Sequence, residues 1–145
     1  MNDRPDISVV LATFNRRQCL PRAIASVLRQ EDADFELIVV DDASTDDTRS
    51  YLATLNDPRV KVIAAERNVG PSAARNRGLA AARADVIAFL DSDDVYRPRR
   101  LAASLAGGIP VSLRDTLTGI DHRNIELVIT AVLHAWGQRP EPEIP

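Results

Sequence analysis

The chain has 145 residues, enough for one domain, and at 45% hydrophobic and 27% charged it has the make-up of a water-soluble globule with a real core. A net charge of -3 argues against a general nucleic-acid binder, and the single cysteine, Cys19, excludes an intrachain disulfide or a thiolate metal site. No apolar run approaches transmembrane length and the polar N-terminus is not a signal peptide, so a cytoplasmic location is expected, free or peripheral at the inner membrane face.

Residues 7–11 form a β-rich apolar run. The loop Ala12-Thr13-Phe14-Asn15-Arg16 leads to a helix over residues 19–30. There Leu20, Ile24, Val27 and Leu28 share one face, and Pro21 falls in the first turn, where it is tolerated. Residues 35–40 form a second strand that ends in Asp41-Asp42. Ser44 and Asp47 fit a capping box for a helix running to residue 56, which Asp57-Pro58 breaks. Residues 60–64 form a third strand. Asn68-Val69-Gly70-Pro71 is a loop with Pro71 at the first helical position, and the alanine-rich helix that follows, to residue 83, can lie close to a sheet. Residues 86–90 are apolar without alternation, the pattern of a strand buried on both faces, and end in Asp91-Ser92-Asp93-Asp94. The alternation predicts an α/β fold: a mostly parallel, Rossmann-like sheet with right-handed crossovers and helices on both faces.

Parallel strands put their carboxyl ends on one edge, where open α/β sheets bind ligands. That edge gathers Thr13 and Phe14, Asp41-Asp42, and Asp91-Ser92-Asp93, with Asn68 from the third loop and Arg75 from the third helix. Crowded carboxylates need a compensating cation; hard oxygen ligands on a short loop suit Mg²⁺ or Mn²⁺ carrying substrate phosphates, and a solvated acidic turn is the bland alternative. An aromatic face can stack a base, a carboxylate can accept from a base N–H, and Arg can meet phosphate. The set reads as a nucleotide-diphosphate site. A dinucleotide oxidoreductase is disfavoured because the loop over residues 12–16 has no glycine, and no G-x-x-x-x-G-K-[ST] run is present for a P-loop enzyme.

Four blocks now carry a resemblance: residues 7–16, 34–48, 68–78 and 88–94, in this order. Together they resemble the family 2 glycosyltransferases, inverting enzymes of the GT-A fold, over about two thirds of the chain. The resemblance implies a nucleotide-sugar donor, UDP-linked by preference, a divalent ion, and a glycan, lipid-linked or protein acceptor. It implies that Phe14 packs on the base with Thr13 beside it, and that Asp41 binds the base. Asn68 and Arg75 would line the nucleotide pocket. Asp91 would contact ribose or metal, and Asp93 would hold the ion, whose role is that of a Lewis acid on the departing diphosphate. Plainer readings stand beside these. Phe14 is otherwise core, Asp42 a structural or loop-capping residue, Asp46 and Asp47 first-turn helix acids, and Asn15 and Arg16 loop-shaping residues. Arg97, Arg99 and Arg100 read better as a solvated basic face than as a phosphate clamp, and His122 and His134 carry no metal signal.

The nucleotide-sugar core is expected over residues 1–101 and a short segment over 102–145. Gly107-Gly108-Ile109-Pro110 reads as a linker, residues 124–136 as an amphipathic helix, and residues 138–145 as a proline-rich extended tail. The helix's apolar face would bury itself on the sheet or against a second copy, giving a homodimer. Inverting transfer needs a base. In the family it is an Asp ahead of a helix, and Asp121 is the faint counterpart here. Either Asp121 serves a compressed acceptor half, or the chain is a nucleotide-sugar-binding fragment without turnover.

Overall fold

The computed structural model describes residues 3–106. Asp121, His122, His134, the expected helix over residues 124–136 with its homodimer contact, and the proline-rich tail lie outside the described residues. In chain order the elements are β1 (Ile7–Thr13), α1 (Leu20–Leu28), β2 (Phe35–Asp41), α2 (Thr48–Leu52), β3 (Val60–Ala64), α3 (Pro71–Ala81), β4 (Val86–Phe89) and α4 (Arg100–Ala106). The strands form one parallel sheet in the order β3-β2-β1-β4. Among the described residues no helix is long and apolar enough to cross a membrane.

β1 and β2 take the centre because their sequences can be covered on both sides. Ala12 apart, every residue of the two is buried, as continuous apolar runs in a parallel sheet require. Successive side chains point to opposite faces. Leu37 and Val39 join Val9 and Leu11 in the larger core, with Leu20 and Ile24 of α1, Leu52 of α2 and Leu101 of α4. Ile38 and Val40 pack instead with Ala74 of α3. The strand order explains the division. The chain steps from β1 to β2 to β3 in one direction, then returns past β1 to set β4 on its far side. Right-handed crossovers put the helices of the outward run, α1 and α2, on one face and the returning α3 on the other.

α3 lies close to the sheet because its buried positions are small: Ser72, Ala74 and Gly78. A Cβ on Gly78 would overlap Val10 Cγ1 and come within 3.2 Å of Val40 Cγ2. Both valines belong to the central strands and have no flexible end to swing aside. Alanine is the better helix former by about 1 kcal/mol, yet Gly78→Ala is expected to destabilise the protein by about 1–3 kcal/mol, the usual cost of overpacking. Urea unfolding checks this; an unchanged or raised midpoint would contradict the close seating.

Several expectations change. The run at 86–90 forms an edge strand, with Val86, Ile87 and Phe89 only half-buried and Ala88 fully buried. An apolar run reports apolarity and not a place in the sheet. The helix expected from a Ser44/Asp47 capping box is only Thr48–Leu52, and Asp47, at its N-cap, makes no side-chain cap bond. Ser44 Oγ accepts instead from the Asn15 N–H at 2.9 Å, so a distant partner has taken the hydroxyl that the cap needed. After Leu52 the chain tightens into i→i+3 bonds, Thr54 N–H to Tyr51 O at 2.9 Å and Leu55 N–H to Leu52 O at 3.2 Å. α1 and α3 stop at Leu28 and Ala81, before the expected residues 30 and 83. Gln30 is buried all the same: its Nε2 donates to Ser26 O and Arg97 O, and its Oε1 accepts from the Leu101 N–H. It ties α1 to α4, which carries the core past residue 101.

Candidate functional site

A cleft of about 470 Å³ opens at the carboxyl ends of the strands. β1 pairs with β2 on one side and β4 on the other, so the strand order reverses here and the following loops part. The loop after β1 supplies Phe14 and Arg16 to the cleft wall. The β3–α3 loop and the start of α3 supply Asn68, Gly70 and Arg75, and the segment after β4 supplies Asp91, Ser92 and Asp93. Thr13 and Asp42, at the ends of β1 and β2, complete it.

Thr13 is buried, and its Oγ1 has no hydrogen-bond partner among the described residues. A buried unpaired hydroxyl costs about 1–3 kcal/mol, so a ligand or water that reached it would be favoured. Phe14 is 43% exposed: its ring stands on the cleft wall and is not core.

Asp41 and Asp42 diverge because alternation points them to opposite faces of β2. Asp41 follows Leu37 and Val39 toward α2 and is fully buried. Its Oδ2 accepts from Arg49 Nε at 2.8 Å and its Oδ1 from the Ser44 N–H at 3.3 Å, while Arg49 Nη2 donates to Ala65 O. Asp41 is not among the residues lining the cleft. Asp42 follows Ile38 and Val40 toward α3. Its Oδ1 accepts from the Val69 N–H at 2.9 Å and its Oδ2 from the Gly70 N–H at 2.8 Å, and Asn68 Nδ2 donates to its backbone O at 3.2 Å. Gly70 has φ 89°, a conformation open to glycine, and turns the chain into Pro71. Asp42 therefore caps the loop and also faces the cleft. The signal was present in the strand: counting alternation from Leu37 assigns the two carboxylates to different helices.

Arg75 reaches across to Asp91, Nη2 to Oδ1 at 2.6 Å, with the arginine side chain 13% exposed and the aspartate 53%. Asp93 is exposed on the same wall. Arg97, Arg99 and Arg100 do not line the cleft; Arg99 pairs with Asp32 at 3.1 Å and Arg100 Nη1 donates to Ser104 Oγ.

The loops after β1 and β2 are stapled together by side chains. Asn15 Oδ1 accepts from the Thr45 and Asp46 N–H groups, Arg16 N–H donates to Thr48 Oγ1, and Arg17 N–H to Asp46 Oδ2. Bonds from Thr48 first, then from the Arg17 N–H, hold the Asp46 carboxyl below the usual aspartate range. From the sequence Asp46 reads as a first-turn helix acid, and Asn15 and Arg16 as loop-shaping residues, which is what their bonds do here.

The donor set fits a divalent ion in one way only. Asp91 and Asp93 offer two exposed hard oxygen ligands, but no group of three or more His, Cys, Asp or Glu among the described residues could hold an ion unaided. Mg²⁺ and Mn²⁺ are bound through one or two carboxylates plus substrate phosphates. The cleft therefore suits an ion that arrives with a diphosphate.

Residues 8–106 match the family model described as glycosyl transferase family 2. The chain belongs to this family. The family 2 match takes in every cleft residue named above. The chain is 41% identical over 134 residues to the succinoglycan biosynthesis protein ExoO of Rhizobium meliloti, covering 89% of this chain and 38% of that protein. It is therefore similar to well under half the length of this relative. Among solved structures it is similar to S. aureus TarS residues 1–349 in complex with UDP-GlcNAc, with a TM-score of 0.63 and 32% identity over 70% of this chain and 30% of that one. It is also similar to the mannosyltransferase PcManGT of Pyrobaculum calidifontis in complex with GDP-Man and Mn²⁺, with a TM-score of 0.60 and 25% identity over 70% of this chain and 31% of that one.

Proposed function

We propose that the described residues form the donor side of a glycosyltransferase that takes a nucleoside-diphosphate sugar, UDP-linked by preference, with Mn²⁺ or Mg²⁺. The observation that carries this is the convergence of an exposed aromatic, a strand-end carboxylate, an arginine and a pair of exposed acids in one cleft at the switch point. Phe14 offers a face for the base. Asp42, not the enclosed Asp41, is the carboxylate of the second strand available beside it, since two of its four lone-pair sites remain after the Val69 and Gly70 N–H bonds. Asn68 and Arg75 line the nucleotide pocket, and Arg75 is near enough to Asp91 to shift between carboxylate and phosphate. Asp93, with Asp91, would hold the ion, whose charge neutralises the departing diphosphate. The acceptor is a glycan, lipid-linked or protein hydroxyl. Inverting attack on the sugar needs a base, for which Asp121 is the candidate in the sequence.

The test is release of UDP from a panel of UDP-sugars by the purified chain, with and without an acceptor-containing lysate. Donor binding is expected, with acceptor-stimulated release weak in this chain alone and weaker still in Asp121→Asn. UDP-sugar binding without any release would favour the alternative of a donor-binding domain without turnover. Neither binding nor release would remove the donor reading.

A further inference from the structure

We infer that Asn15 is a positioning residue for the nucleotide: it fixes the direction of the Phe14 side chain on the cleft wall without touching the ligand itself. The inference rests on the donor-site reading above. Asn15 lies between two lining residues and is not one of them. Its φ is 51°, the left-handed region that asparagine tolerates better than most side chains. Its Oδ1 accepts from the Thr45 N–H at 2.7 Å and the Asp46 N–H at 3.2 Å, and its own N–H donates to Ser44 Oγ at 2.9 Å. Its Nδ2 donates to Thr45 Oγ1 at 3.2 Å. One side chain thus closes two backbone donors of a loop 30 residues further on. The neighbouring Arg16 and Arg17 N–H groups are closed by Thr48, the first residue of α2, and Asp46 of the same loop.

The consequence concerns Phe14. A ring 43% exposed is not held by core packing, so its direction follows from its backbone. An aromatic face contributes most to affinity when it is already in place, because ordering it on binding costs free energy. The run Ser44-Thr45-Asp46 supplies that order through Asn15, in place of the helix cap its sequence suggests.

The experiment is calorimetric titration of UDP and of inorganic pyrophosphate, each with Mn²⁺, into the unmodified chain, Phe14→Ala, Asn15→Gly, Asn15→Asp and the double variant Phe14→Ala/Asn15→Gly. Glycine permits the backbone conformation but offers no acceptor, whereas aspartate keeps an acceptor for both N–H groups. Asn15→Gly is expected to weaken UDP roughly tenfold, as Phe14→Ala does, and to leave pyrophosphate unchanged. Asn15→Asp should stay within about twofold of the unmodified chain, and the double variant should bind UDP no more weakly than either single one, because the two residues act as one. Ser44→Ala, which removes only the acceptor of the Asn15 N–H, is the milder second variant and should weaken UDP about threefold while sparing pyrophosphate. UDP binding unaffected in both Asn15→Gly and Ser44→Ala would overturn the inference, as would equal losses for UDP and pyrophosphate or additive losses in the double variant. An unmodified chain that binds neither ligand would instead overturn the donor-site reading, and the positioning role with it.

Discussion

Asp93→Ala is expected to remove at least tenfold of the UDP affinity that Mn²⁺ confers, about 1.4 kcal/mol, while leaving metal-free UDP affinity equal or higher. The two halves of this result have one electrostatic cause. Asp91 has its charge matched by Arg75 at 2.6 Å, and among the ion pairs of the described residues none involves Asp93. Without an ion, Asp93 therefore repels an incoming diphosphate, and its removal relieves that repulsion. With an ion it is the carboxylate most free to coordinate, and among the described residues the segment after β4 offers the cleft two carboxylates, Asp91 and Asp93. Titration of UDP at zero and saturating Mn²⁺ measures both halves. An equal loss with and without Mn²⁺ would mean that Asp93 acts by shaping the cleft and not through an ion.

Arg49→Met is expected to destabilise the protein by about 2 kcal/mol and to leave UDP affinity nearly unchanged. Asp41 is fully buried, and Arg49 is its ionic partner at 2.8 Å. Removing one partner of a fully buried pair costs about 3–5 kcal/mol. Here the Arg49 side chain is 49% exposed, so water can reach part of the gap and the smaller figure applies. The Ala65 carbonyl loses its donor as well. Adding Asp41→Asn to Arg49→Met should recover part of the loss, because a neutral amide is cheaper to bury than an unpaired carboxylate and still accepts from the Ser44 N–H. Urea unfolding of the single and double variants closes the cycle. If Asp41→Asn alone abolished UDP binding with stability intact, Asp41 would be a ligand of the base and its enclosure beside Arg49 would open on binding.

The fold was legible because its signals are local. Four apolar runs separated by three helical stretches imply a parallel α/β sheet, and Pro71 stands where α3 begins, whereas Asp57-Pro58 falls between the end of α2 at Leu52 and the start of β3 at Val60. What was not legible depends on partners far along the chain. The apolar run at β4 looked doubly buried, but which strand takes the edge follows from where the chain turns back, and no property of the run itself records that. Ser44 carries the chemistry of a cap, yet Asn15, 29 residues earlier, competes for its hydroxyl and wins. The site divides in the same way. Phe14, Asn68, Arg75, Asp91 and Asp93 come to one cleft because parallel strands share an edge, a consequence of topology alone. The choice between Asp41 and Asp42 turns on one step of strand alternation at the very end of β2, where adjacent residues with the same side chain meet α2 on one face and the α3 loop on the other.

The most direct measurement of the central claim is a crystal structure of this chain with UDP and Mn²⁺. The expected structure has the base against Phe14 and beside Asp42, and the diphosphate, with its ion, at Asp91 and Asp93 in the cleft at the β1–β4 switch point. UDP bound away from these strand ends, or bound there with its base at Asp93 and its diphosphate at Phe14, would contradict it.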